Sequence, residues 1–282
     1  MNDNAINESA ILVTGANGQL GTEIKALLPD AIYVDVDVLD ITNEDAVQSF
    51  VKMNNIELIV NCAAYTAVDK AEDEEDSAYK VNALGPEILA KTQCKLIHVS
   101  TDYVFDGNSC IPYKASDATN PLSAYGRTKL AGERAVMANS DICVVIRTAW
   151  LYSSHGNNFV KTMLRLGKER DQIQVVNDQV GSPTFAGDLA DAIVRIIPQV
   201  NSSVKGIYHY TNEGVCSWYD FSYTIIHEAN LHCFVKPVPS SAYPTKAHRP
   251  NYSVLDKSSI KETFGIEIPH WTESLKKCLK QF

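Results

Sequence analysis

The 282-residue chain is predicted to fold as α/β, with a doubly wound parallel sheet, on three observations. Short apolar runs alternate with longer segments of helical pattern. Each run is apolar throughout instead of alternating, and the first passes directly into a glycine-rich turn and a helix. Strands apolar on both faces belong to a parallel sheet covered by helices on each side, and the segments between them are long enough for crossover helices.

In chain order the runs are AILVT (10–14), AIYVD (31–35), ELIVNC (57–62), KLIHVS (95–100) and ICVVIR (142–147). The first leads into Thr14-Gly15-Ala16-Asn17-Gly18-Gln19-Leu20-Gly21 and then the helical EIKALL. A Gly-x-x-Gly-x-x-Gly turn between strand and helix lets backbone approach a pyrophosphate, which meets free N–H groups and the positive end of the helix dipole. The second run closes on Asp35, twenty residues after Gly15, where a carboxylate can hydrogen-bond the adenosine ribose of NAD. An acid there repels a 2′-phosphate, which favours NADH over NADPH. The third run ends in Asn61-Cys62-Ala63-Ala64-Tyr65-Thr66, small residues at a carboxyl end, so Ala64 and Tyr65 are expected to flank the cofactor. The fourth ends in Ser100-Thr101-Asp102, which brings hydroxyls to the same rim.

After these runs comes LSAYGRTKLAGE (122–133), with Tyr125 and Lys129 four places apart in the first turns of a helix. Helical spacing puts both on one face, where they can point back at that rim. Reducing a ketone by hydride transfer develops negative charge on oxygen, and a positioned acid must supply a proton. A free tyrosine, with a pKa near 10, is a reluctant donor, and a neighbouring ammonium stabilises its phenolate. Tyr125 is therefore assigned as the acid, Lys129 as the group that tunes it and holds the ribose, and Thr101 as the hydrogen-bond partner of the developing oxyanion.

Composition removes other classes. A net charge of −9 argues against a nucleic-acid partner, because tracking phosphates needs a basic surface. The seven cysteines form neither CxxC pairs nor a spaced framework, as expected of reduced thiols. The polar start MNDNAINESA lacks a signal-peptide pattern and no run of about 18 apolar residues occurs, so no membrane partner is expected and a cytoplasmic location is. EDEEDS (72–77) is read as a solvated helix face, and His227-Glu228-x-x-x-His232 has the wrong spacing for a zinc site.

The glycine turn, the Ser-Thr-Asp strand end and Tyr-x-x-x-Lys together resemble the extended short-chain dehydrogenases/reductases. Several longer strings resemble the dTDP-4-dehydrorhamnose reductases within them: GANGQLG (15–21), NCAAYTAVDKAE (61–72), VSTDYVFDG (99–107), NPLSAYGRTKLAGE (120–133), RTAWLY (147–152), GNNFVKTMLRLGKER (156–170), NDQVGSPT (177–184) and HRPNYS (248–253). The resemblance covers nearly the whole chain. It implies reduction of the 4-keto group of dTDP-6-deoxy-L-lyxo-4-hexulose to dTDP-L-rhamnose with NADH or NADPH. It also implies cofactor contacts at Gly18, Gln19, Leu20, Asp35, Asp40, Ile41, Ala64, Tyr65, Thr66, Tyr125 and Lys129, and substrate contacts at Thr101, Asp102 and Trp150. Residues 1–150 then read as mainly a dinucleotide-binding Rossmann domain. Residues 151–282 read as a mixed segment that completes the sheet and forms a small lobe for the nucleotide sugar, with Arg249 a candidate to pair with the diphosphate.

Relatives with other activities differ at particular positions. Nucleotide-sugar 4,6-dehydratases carry Asp then Glu after the threonine; here Asp102 is followed by Tyr103, so elimination lacks its second carboxylate. A 4-epimerase fits the short motifs but not the longer strings. The regulatory subunit of methionine adenosyltransferase, a binding protein, keeps Tyr and Lys but departs from the Arg147-Thr148-Ala149-Trp150 seen here. Some reductases of this family bridge Mg²⁺ between glutamates at a dimer interface. Glu23 matches one such place, but Asp188 stands near another and the tail Lys280-Gln281-Phe282 has no glutamate. That argues against magnesium and leaves monomer and homodimer both open.

Overall fold

A computed structural model describes residues 6–282, so the MNDNA of the polar start lies outside the described residues. The strands are β1 Ile11–Thr14, β2 Ile32–Val34, β3 Leu58–Asn61, β4 Lys95–Thr101, β5 Cys143–Thr148, β6 Leu151–Tyr152, β7 Gln172–Val176, β8 Val180–Gly181, β9 Thr184–Phe185, β10 Gly206–His209, β11 Cys216–Ser217 and β12 Phe234–Val238. The helices are α1 Gln19–Leu27, α2 Glu44–Met53, α3 Val68–Ala71, α4 Glu75–Tyr79, α5 Gly85–Lys91, α6 Ala124–Asn139, α7 Phe159–Glu169, α8 Ala186–Ile196, α9 Trp218–Glu228, α10 Ser258–Phe264 and α11 Trp271–Leu279. A π-helical turn over Lys80–Leu84 joins α4 to α5.

Six strands form one parallel sheet in the order β10-β5-β4-β3-β1-β2. From β1 the chain goes to β2 at the edge and comes back to β3 on the other flank of β1. Strand order therefore reverses between β1 and β3, and the crevice beyond their carboxyl ends is where an α/β sheet of this kind takes ligands. Register keeps those ends level, with Thr14 opposite Asn61 and Thr101 opposite Thr148.

The doubly apolar strands have their physical reason in two cores. Ile11, Val13, Val60, Ile97 and Ile146 pack against Ile24 of α1 and Leu189 and Ile193 of α8. Their neighbours Leu12, Ile59, Leu96 and Val145 point the other way, onto Val47 of α2, Ile88 and Leu89 of α5 and Val136 of α6. Successive strand residues face opposite sides, so an uninterrupted apolar run is what two covered faces require. A third core, centred on Tyr152, Val160, Phe221, Val235 and Leu275, joins α7, α9 and α11 to the parallel pair β7 and β12. Among the described residues no helix is long and apolar enough to cross a membrane.

The acidic run is largely solvent-facing, as expected, but it is not one helix face. It spans the break between α3 and α4, and four of its carboxylates serve other elements. Glu72 accepts the Ala124 N–H at 2.8 Å, Glu74 the Tyr65 hydroxyl at 2.7 Å, Glu75 pairs with Arg127 at 2.8 Å, and Asp73 pairs with Lys246. Glu72 and Glu75 meet the start of α6, where carboxylates are stabilised near the free N–H groups and positive dipole end of a helix.

Candidate active site

Backbone geometry builds the first part of the site. Gly15 adopts φ +66, and a Cβ there would stand 2.6 Å from the Ala63 nitrogen; at Gly21 it would stand 2.5 Å from the Gly15 carbonyl oxygen. Only glycine allows the loop, the β3 end and α1 to approach so closely. Gly18 precedes α1 with no side chain bonded to the first turn, so N–H groups at Gln19, Leu20 and Gly21 are left for a pyrophosphate. A dinucleotide fits this cradle. Asp35, just past β2, accepts the Asn17 N–H at 3.0 Å and the Val36 N–H at 2.8 Å. It ties the glycine loop to the strand end, and each carboxylate oxygen keeps capacity for a ribose hydroxyl. Asp40 closes a turn by accepting from Thr42, and Ile41 packs against Gly85.

The segment after β3 is held from beneath by Asn82, fully buried in the π-helical turn. Asn82 accepts the Tyr65 N–H at 2.8 Å and donates to the Tyr65 carbonyl and the Thr128 hydroxyl, both at 3.1 Å. Ala64, Tyr65 and Thr66 are thereby fixed relative to α6. A parallel network at the strand ends joins Thr14, Asn61 and His98: the Thr14 hydroxyl donates to Asn61 at 2.7 Å, and Asn61 Nδ2 donates to His98 Nδ1 at 3.0 Å. Burial, aided by the nearby Lys129 charge, keeps the His98 imidazole neutral.

Thr101 ends β4, and Tyr125 and Lys129 stand on the first two turns of α6, whose N-cap Ser123 accepts the Gly126 N–H at 3.1 Å. The Tyr125 phenol lines the same cleft as Thr101. Burial raises its pKa above the ordinary value, with the nearby Thr101 hydroxyl opposing and the nearby Asp102 and Tyr103 raising it further. The resting side chain is thus firmly protonated. Thr101 also donates to Asp102 Oδ1 at 3.0 Å. Burial pushes the Asp102 carboxyl up to about 6, with hydrogen bonds from Thr101 and Ser253 opposing. Lys129 donates to the Val99 carbonyl at 2.7 Å; burial lowers its pKa to about 8, while Glu133 and Cys62 favour the charged form.

A buried ion pair anchors this helix. Arg147 of β5 meets Glu133 of α6 with two bonds, Nε to Oε1 at 2.9 Å and Nη2 to Oε2 at 2.7 Å, and Ser100 donates to Oε1 at 2.5 Å. The side chains are 2% and 1% exposed. One carboxylate so joins β5 to β4 and α6, and these last two carry Thr101, Tyr125 and Lys129.

Trp150 follows β5 and stacks on Trp218 of α9. Arg249 pairs with Asp69 at 2.7 Å and donates to the Tyr103 hydroxyl at 3.3 Å. A cleft of about 930 Å³ runs from the glycine turn to these aromatics, within the size range of small-molecule sites. Gly15, Gly18, Gln19, Leu20, Gly21, Asp35, Asp40 and Ile41 line one end. Ala64, Tyr65, Thr66, Thr101, Asp102, Tyr125 and Lys129 line the middle, and Trp150 and Arg249 the other end. Sequence reasoning missed Asn82, Glu133, Arg147 and Trp218. Arg147 alone left a signal, a charge closing a buried apolar run that demands a buried partner.

Of the two places compared with the magnesium-bridging glutamates of some reductases, Glu23 keeps a buried Oε1 without a hydrogen-bond partner, whereas Asp188 is taken up by neighbours. Asp188 is occupied by Asn212 at 2.8 Å, by Ser274 and by Lys277 at 3.4 Å. Among the described residues no three His, Cys, Asp or Glu side chains are grouped to hold a metal.

A family model described as the RmlD substrate binding domain matches residues 9–282. The dTDP-4-dehydrorhamnose reductase of Aggregatibacter actinomycetemcomitans is 44% identical, over 94% of this chain and 97% of its own. The chain belongs to the dTDP-4-dehydrorhamnose reductase family. The member from Escherichia coli K12 is 40% identical over 96% of this chain and 97% of its own. A solved member from Clostridium acetobutylicum superposes with a TM-score of 0.93 at 45% identity, covering 96% of this chain and 98% of that one. One from Bacillus anthracis, solved in complex with NADP, gives 0.93 at 40%, covering 96% and 99%.

Proposed function

We propose that this protein reduces the 4-keto group of dTDP-6-deoxy-L-lyxo-4-hexulose to dTDP-L-rhamnose, using NADH or NADPH. The observation that carries the reading is that Thr101, Tyr125 and Lys129 all line the one cleft that begins at the glycine turn. The names of its relatives supply the substrate class, and the NADP of the Bacillus anthracis relative supports the cofactor class.

Bound at the glycine turn, the reduced nicotinamide supplies the hydride. The chain's own residues do the rest. Thr101 hydrogen-bonds the ketone oxygen and orients it, and the buried phenol of Tyr125 transfers its proton to that oxygen as charge develops there. Lys129 stabilises the phenolate that results. Asp102 accepts from a sugar hydroxyl, Trp150 covers the ring, and Arg249 turns from Asp69 toward the diphosphate, a bidentate match for a guanidinium. Residues 151–282, apart from what they add to the sheet, form the lobe that holds the nucleotide. Seven free cysteines suit a reducing, cytoplasmic setting.

The test mixes protein, NADH or NADPH and the dTDP keto sugar, follows the loss of reduced cofactor by absorbance, and identifies the product by NMR. Steady turnover to dTDP-L-rhamnose is expected. Cofactor binding without turnover would leave a non-catalytic binding protein and overturn the reading.

A further inference from the structure

Trp150 holds a backbone conformation that L side chains rarely adopt, with φ +50. A bulky residue stays there only where its surroundings over-determine it. Those surroundings come from three distant parts of the chain. The Trp218 indole lies flat on the Trp150 indole, with centroids 3.6 Å apart and planes 9° apart. Phe159 packs on Trp218 in turn, at 4.4 Å and 50°. Gly181 of β8 is the second constraint: a Cβ there would stand 2.8 Å from Trp150 Cε2 and 2.9 Å from Cζ2. The same Cβ would lie 2.7 Å from the Ser253 hydroxyl. Gly181 has no left-handed φ, so it is the indole and the Ser253 hydroxyl, not the backbone conformation, that exclude a side chain.

We propose that Trp218 is a positioning residue for the sugar: it locks the Trp150 indole in place as the plate on which the deoxyhexose ring packs, and Gly181 is the stop that fixes the indole's edge. This rests on the reductase reading above. Trp218 begins α9, whose entry is fixed by a reciprocal cap, Ser217 accepting the Asp220 N–H at 3.1 Å and Asp220 accepting the Ser217 N–H at 2.9 Å. A stacked indole on a rigid helix start cannot follow the substrate. Trp150 is consequently ordered before the sugar arrives, and the entropy of holding it is not charged to binding. An indole face suits the C–H face of a deoxyhexose, apolar against apolar, with water kept out. Neither Trp218 nor Gly181 contributes a group to hydride or proton transfer, so their effect belongs in KM and not in kcat.

The experiment measures steady-state reduction of the dTDP keto sugar, with the NADH dissociation constant read separately by fluorescence. Trp218→Leu is expected to raise KM for the sugar roughly five- to tenfold, the cost of ordering one large side chain on binding, with kcat and NADH affinity within about twofold. Trp218→Phe recovers most of the loss. Gly181→Ala, which displaces the indole without emptying the aromatic cluster, raises KM in the same way, and Ser253→Ala beside it removes the hydroxyl that the new methyl also meets and leaves that rise in place. In a Trp150→Ala background, adding Trp218→Leu changes KM by less than about twofold, because the residue it positions is gone. Equal effects of Trp218→Leu in both backgrounds, or an unchanged KM in Gly181→Ala, overturn the inference. If Trp218→Leu does not fold, Gly181→Ala and Trp218→Phe decide it. Wild-type protein that leaves the keto sugar untouched defeats the reductase reading itself, and the clamp as a substrate device with it; active wild type with unaltered variants defeats the clamp alone.

Discussion

Glu133→Gln removes the charge at the centre of the buried pair and leaves the rest of the chain as it was. Arg147 would then sit 2% exposed with no carboxylate, and Ser100 would lose a charged acceptor. Breaking a buried pair from one side costs about 3–5 kcal/mol, because the orphaned charge keeps its desolvation penalty. In a protein of this size each kcal/mol moves Tm by about 2–4 °C, so a fall of roughly 6–20 °C is expected. The control is Arg165→Gln. Its i,i+4 partner is Glu169, the two side chains are 60% and 52% exposed, and the shift should stay below about 2 °C. Replacing both Glu133 and Arg147 by methionine should regain much of the loss, since two apolar groups leave no charge unpaired. The assay is thermal unfolding followed by circular dichroism at neutral pH. A Glu133→Gln shift no larger than that of Arg165→Gln would refute the claim that this pair fixes α6 to β4 and β5.

Four further outcomes follow from the same geometry. The Lys129 ammonium, with its pKa lowered by burial to about 8, should be lost as pH rises through that value, so kcat/KM should fall on the alkaline side near 8. The unfolded chain holds this proton more tightly; the burial penalty is therefore fully present below about 8 and is relieved as pH climbs toward the ordinary lysine value, which urea unfolding across that window would show. Asp102, raised to about 6, should give the acid limb, with kcat/KM rising through 6 as the carboxylate forms and Asp102→Asn flattening that rise. Asp35→Ala should move preference from NADH toward NADPH and weaken both, because the Asn17 and Val36 N–H groups lose their acceptor; an unaltered ratio of dissociation constants would show that this carboxylate does not read the ribose. Gly21→Ala, whose new methyl would meet the Gly15 carbonyl oxygen at 2.5 Å, should abolish cofactor binding, and titration by fluorescence would expose an error if affinity survives.

What the sequence revealed was what is local and periodic. The five apolar runs coincide with β1 to β5 to within a residue or two, because two covered faces leave no polar alternation to confuse the reading. The glycine turn and the Tyr125–Lys129 spacing are likewise short-range features, and their residues line one cleft. The sixth strand, β10, was harder: GIYH is short and ends in a histidine, and it becomes a strand only because β5 offers its free edge. Two-residue strands such as β8 exist through their partners, here β11 and the bridge from Val180 to Tyr252. Pairings across long separations left no trace in local pattern. Nothing near Trp218 marks it as the neighbour of Trp150, nothing near Asn82 marks it as the clamp on Tyr65, and nothing in EDEEDS marks Glu72 as the acceptor of the Ala124 N–H.

The account rests on a phenol as proton donor, and Tyr125→Phe tests that most directly in a single-turnover reaction with enzyme in excess over the keto sugar and NADH oxidation as the readout. Hydride transfer should slow by roughly 10²- to 10⁴-fold, the usual worth of a positioned acid, while the NADH dissociation constant changes by less than about twofold. Wild-type rates in Tyr125→Phe would contradict it.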